Sequence, residues 1–74
     1  MEIAVHLFAT LRQDRFRSRR LTISPGSTLV DLCEQLSMRP GEVAIFLVNG
    51  STSSRDRVFQ PGDEVALLPA IGGG

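Results

Sequence analysis

Residues 28–39 carry the one helical pattern of the chain, and it is short. Leu29, Leu32, Cys33 and Leu36 recur at i, i+3, i+4 and i+7, which puts them on a single apolar stripe. Thr28 is a candidate N-cap. Asp31, three residues on, completes a capping-box pattern and favours the positive end of the helix dipole. Pro40-Gly41 stops the pattern just beyond Met38-Arg39. A helix of about ten residues does not hold itself together in water. It must bury its stripe, and with no second helix to receive it the partner is a sheet.

The rest of the chain supplies that sheet. Residues 2–8 alternate, with Ile3, Val5 and Leu7 on one side and Glu2, Ala4, His6 and Phe8 on the other, as in a half-buried strand. Residues 9–20 read as an arginine-rich connection, polar apart from Leu11 and Phe16, leading to a short strand at 21–23 and a Ser24-Pro25-Gly26-Ser27 turn. Residues 43–48 form a continuous apolar run, which suits a strand covered on both faces, and end at the tight-turn pair Asn49-Gly50. Residues 51–56 read as an irregular polar edge and Val58-Phe59 as apolar, with one short strand expected between the third strand and the last. Pro61-Gly62-Asp63 is a turn, and 64–68 is the last strand, stopped by Pro69. The expected architecture is α+β: a β-grasp, a mixed sheet of four to five strands with one main helix across one face. Residues 1–71 form that domain and 72–74 a flexible glycine tail.

Length and composition narrow the function. A 74-residue domain buries about 60% of its unfolded surface, enough for one core and not for an interior ligand cavity. A self-sufficient enzyme is therefore not expected. Eight basic residues balance eight acidic ones, so no global charge draws the chain to nucleic acid or to an acidic membrane. Cys33 and His6 are too few for a structural metal site, and no metal or cofactor is expected on the chain itself. No signal segment opens the sequence and no apolar run approaches membrane-spanning length, which points to the cytoplasm. All the basic residues are arginine and none is lysine. Codon usage is the ordinary explanation; a protein with an activated carboxyl end would also be served by lacking amines.

The carboxyl end is the most informative stretch. Gly72, Gly73 and Gly74 follow a strand, and three glycines add no stability to so small a domain. An extended tail without side chains can enter a narrow channel in another protein and present its carboxylate there. Adenylation gives that carboxylate a leaving group, and sulfur can displace it.

Residues 62–74, Gly-Asp-Glu-Val-Ala-Leu-Leu-Pro-Ala-Ile-Gly-Gly-Gly, resemble the carboxyl end of the MoaD/ThiS family of ubiquitin-like sulfur carriers. Leu7-Phe8-Ala9-Thr10-Leu11-Arg12 resembles the first strand of molybdopterin-synthase small subunits, and Val48-Asn49-Gly50 the family's third-strand turn. The resemblance implies a β-grasp carrier whose Gly74 is adenylated by an ATP- and magnesium-using, ubiquitin-activating-type enzyme. A sulfurtransferase then converts it to a thiocarboxylate, which serves a molybdopterin synthase large subunit or a thiazole synthase. The chain departs from the family pattern at Gly72, where members commonly carry another residue. Its compact span from the helix to Val48 is closer to the thiazole carriers. A ubiquitin-like modifier forming isopeptide bonds is the alternative at the level of class.

Among other residues, Cys33 on the helix stripe reads as packed core rather than as a reactive thiol. His6 has no evident partner and reads as a solvent-facing or interface histidine. The arginine-rich connection reads as a solvated loop or protein-docking patch, and Asp63 with Glu64 splay apart rather than forming an acid–base pair. A single helix covers one sheet face, so the other keeps an apolar patch suited to a partner. Phe8, Leu68 and the third-strand face are the candidate docking residues, with Arg12 as a polar contact.

Overall fold

The alternation at the amino end becomes strand β1, Glu2–Leu7, with Ile3, Val5 and Leu7 buried as the pattern requires. A computed structural model describes residues 1–70. β1 pairs antiparallel with β2, Ser18–Thr22, and parallel with β5, Glu64–Leu68. β5 pairs antiparallel with β3, Ile45–Val48, which turns through Asn49-Gly50 into β4, Ser51–Thr52. The five-stranded sheet has the order β2-β1-β5-β3-β4. The α-helix among the described residues, α1, spans Leu29–Gln35 and buries Leu29, Leu32 and Cys33 into the same core as the inward side chains of the sheet. This mixed sheet with one helix is the β-grasp arrangement.

The turn signals hold for the expected physical reason. Asn49 and Gly50 both have positive φ, 53° and 85°, the pairing a two-residue hairpin of the right twist demands. Gly62 supplies φ 81° in the turn before β5.

Four local expectations are corrected. α1 is seven residues and ends at Gln35, not at Arg39. Ser37 adopts φ 55°; its N–H donates to the Glu34 carbonyl and that of Met38 to the Cys33 carbonyl, which closes the helix before the proline can. β2 begins at Ser18, earlier than expected, because Arg19 and Arg20 pair with β1 as an edge strand. The connection also contains a 3-10 turn, Ala9–Arg12, that buries Leu11. The short fourth strand is Ser51–Thr52, within the stretch read as an irregular polar edge. Phe59 inserts into the core, edge-on to Phe46 at 6.0 Å between ring centroids. Finally, β3 is covered on one face within the chain: Phe46 and Val48 are buried, whereas Ile45 is 41% exposed. One helix cannot cover both.

Candidate functional site

The strand registers assemble the helix-free face residue by residue. Ile45 lies opposite Leu68, and Leu47 opposite Ala66. Ala66 is beside His6, and His6 is opposite Ser18. Phe8 has extended backbone and so continues the outward parity of β1; its N–H donates to the Leu67 carbonyl and its side chain is 44% exposed. Phe8, Leu68 and Ile45 thus form an apolar end of the face, which Leu47 extends towards its middle. Phe8 and Leu68 lie on the outward side of the sheet, and of the third strand's two apolar sets Ile45 and Leu47 share that side. Both parities of that run are apolar, so only the register could choose between them.

The opposite end of the face is polar. Glu64 sits beside Ala4, and Ala4 opposite Arg20, which approaches Glu2 at 4.0 Å. Between the two ends lies a contact that sequence reading missed. The Ser18 hydroxyl is 2.7 Å from His6 Nδ1, and His6 Nε2 is 3.1 Å from Glu64 Oε1. With Nε2–H donated to the carboxylate, Nδ1 accepts from the hydroxyl, and three strands are joined across their outward side chains. His6 therefore has partners, which residues twelve and fifty-eight positions away could supply only once the sheet registers were known. A hollow open to solvent, bounded by His6, Leu47, Asn49, Gly50 and Glu64, adjoins this contact.

Asp63 does not act with Glu64. It is buried, while Glu64 is exposed on the open face. Arg57 donates to Asp63 Oδ2 at 2.7 Å, the Gln60 N–H to the same oxygen at 2.8 Å, and Asn49 Nδ2 to Oδ1 at 3.0 Å. Asn49 Oδ1 in turn accepts from the Glu64 N–H at 2.9 Å. Burial alone would push the Asp63 carboxyl up; the three donors outweigh it and hold the group below its ordinary range. This knot ties the β3–β4 turn to the start of β5, and so fixes the register of the strand that leads to the carboxyl end.

Cys33 is fully buried, and burial pushes its thiol up, so it is core rather than nucleophile. Arg15 proves structural: its guanidinium donates to the carbonyls of Leu11, Leu36 and Ser37, at the end of α1. Arg19 stacks over Phe16 at 4.7 Å. Arg12 is exposed at the end of the 3-10 turn that follows β1. Gly72, Gly73 and Gly74, the tail residues, lie outside the described residues. Among the described residues no cluster of His, Cys, Asp and Glu is placed to hold a metal ion, and no helix is long and apolar enough to cross a membrane.

The model of the ThiS family matches residues 5–74, nearly the whole chain and its terminal glycines included. The chain belongs to the ThiS family of ubiquitin-like sulfur carriers. No curated protein matches it by sequence at a significant level. Solved structures agree on the β-grasp fold. SAMP1 from Haloferax volcanii is similar at 22% identity and TM-score 0.75, with all of both chains covered. A Pyrococcus furiosus protein provisionally described as molybdopterin converting factor, subunit 1, is similar at 24% identity and TM-score 0.76, over 96% of this chain and 99% of that one. A protein–protein complex of subunits 1 and 2 of the molybdopterin-converting factor from Helicobacter pylori contains a chain similar at 18% identity and TM-score 0.66, both chains being fully covered. The family is one of small carrier subunits, which accords with a chain that works through a partner.

Proposed function

We propose that this ThiS-family member carries sulfur on the Gly74 carboxyl group for molybdopterin synthesis, as a co-substrate and subunit rather than as an enzyme. The observation that carries the reading is the family match running through residue 74. A Gly74 carboxylate oxygen attacks the α-phosphorus of ATP, bound with magnesium by a ubiquitin-activating-type enzyme, and pyrophosphate leaves. The outer sulfur of a sulfurtransferase persulfide attacks the acyl carbon and AMP leaves; a thiol then reduces the acyl disulfide, its S–S bond breaking to release the thiocarboxylate while the sulfurtransferase sulfur and the thiol end as a disulfide. The molybdopterin synthase large subunit then receives the carrier on the Phe8, Leu68, Ile45 and Leu47 patch, with Arg12 as a polar contact at the same end of the sheet. Support for that partner comes from the Helicobacter pylori complex, in which a similar chain is assembled with its subunit 2.

The similarity to SAMP1, a small archaeal modifier, favours a second reading in which the activated carboxyl ends on a target lysine. Intact mass of the protein purified from cells separates the two. A gain equal to replacing one oxygen by sulfur supports the carrier, and covalent adducts with other proteins support the modifier. Deleting Gly74 is expected to abolish either product while leaving the thermal melt unchanged. Thiocarboxylate formation by the Gly74-deleted chain would overturn the carrier reading.

A further inference from the structure

We infer that this chain is an acyl donor built not to be its own acceptor: the basic segment beside the departure of its carboxyl end is made of guanidinium groups alone. The inference rests on the proposed activation of Gly74 and concerns the fate of the activated group. All eight basic residues of the chain are arginine, and five of them, Arg12, Arg15, Arg17, Arg19 and Arg20, fall within residues 12–20. The fold decides where that segment lies. β1 and β5 run parallel with Leu7 beside Leu67, so both strands end at the same end of the sheet. The 3-10 turn bearing Arg12 follows β1 there and packs against β5. The arginine-rich connection therefore starts where the chain leaves β5 towards Gly74. The four residues after Ala70 span at most about 14 Å, a bound set by chain length alone.

A lysine in that segment would be an intramolecular nucleophile, at an effective concentration on the order of millimolar. Its deprotonated amine would attack the Gly74 acyl carbon, the bond to AMP or to a thioester sulfur would break, and the leaving group would depart with the electron pair. Loss of the amine proton would leave a stable amide and a spent carrier. A guanidinium stays protonated with its lone pair delocalised, so it keeps the positive charge and does not take this route. The chain's thiol, imidazole and amino terminus are engaged as well. The Cys33 thiol is fully buried, both ring nitrogens of His6 are engaged, and the Met1 amine donates to the Ile23 carbonyl at 3.0 Å. An activated carboxyl end thus survives until sulfur arrives, and any adduct with another protein cannot be extended through lysines of this chain.

The test uses the full chain with Gly74 converted chemically to an alkyl thioester, which requires no activating enzyme. Wild type, Arg12→Lys and Arg17→Lys, the two positions at the end of the sheet where β5 ends, are held at mildly alkaline pH and followed by intact mass and denaturing gel, with thermal melts to verify folding. Wild type is expected to hydrolyse to the free acid. Each lysine variant is expected to form amide, as an internal ring or as a dimer, about tenfold faster than wild type. Amide formation by wild type at the rate of the variants would overturn the inference, as would variants that only hydrolyse. Because the thioester is installed by hand, this result is independent of whether the protein carries sulfur in cells, which the intact-mass measurement decides separately.

Discussion

Asp63 shows how one residue can hold the strand that leads to the carboxyl end. Its carboxylate is buried and receives three donors from two turns, Arg57 among them. Because these hold its proton affinity below that of the unfolded chain, the unfolded state binds more protons in acid. The stabilisation is complete above the ordinary carboxylate value of about 4 and is lost as pH falls through the lower folded value. The urea midpoint should therefore be insensitive to this group down to about pH 4 and decline below it. Asp63→Asn should lower stability at neutral pH by about 1.5–3 kcal/mol, the range for hydrogen bonds to a charged group, and flatten the acid decline. An unaltered acid limb in Asp63→Asn would show that another carboxylate governs it. Sequence reading separated Asp63 from Glu64 by strand parity. It could not find the knot, because Asn49 and Asp63 are fourteen residues apart and meet only after two turns have closed.

At the scale of elements, signals confined to a few neighbouring residues were the legible ones. The β1 alternation, the Asn49-Gly50 hairpin, the Thr28–Asp31 cap and the bounds of β5 all follow from residue types at fixed short spacing. The end of α1 was not legible, because Ser37 takes a left-handed conformation that glycine or asparagine usually marks. Three features offset that local strain. Met38 is buried beyond it, the Cys33 carbonyl accepts its N–H, and Arg15 donates to the Leu36 and Ser37 carbonyls. Ser37→Gly should therefore stabilise the fold by about 0.5–1 kcal/mol, by relieving the left-handed penalty. Arg15→Ala should destabilise it by about 1 kcal/mol through loss of the carbonyl contacts at the negative end of the helix. Chemical denaturation of both variants checks the account; a destabilising Ser37→Gly would mean that the serine side chain, not the turn, matters there. The missed strand Ser51–Thr52 has a similar cause. Its two small polar residues carry no pattern, and its pairing is imposed by the hairpin that precedes it.

For the whole molecule, the sheet has one covered and one open face. The helix side holds the fold together: Val5, Leu32, Val65 and Leu67 have no exposed surface there. The open side carries Phe8, Ile45 and Leu47 around Leu68, on the strand that continues towards the tail. On the proposed function, docking on that patch and tail delivery occur together, because a partner covering it also fixes where residues 71–74 must enter. Leu68→Glu tests the division. In the free protein Leu68 is only half-buried, so the change should cost about 1 kcal/mol or less of folding stability and lower the melting temperature by a few degrees at most. In a complex the same glutamate is desolvated without a partner, at a cost of several kcal/mol, so association with the cognate synthase large subunit should weaken by at least about a hundredfold. Calorimetric titration of that subunit with wild type and Leu68→Glu, alongside thermal melts of each, gives both numbers. A collapsed melting temperature with unchanged affinity would place the partner on the other face of the sheet and leave the Phe8–Leu68 patch without a docking role.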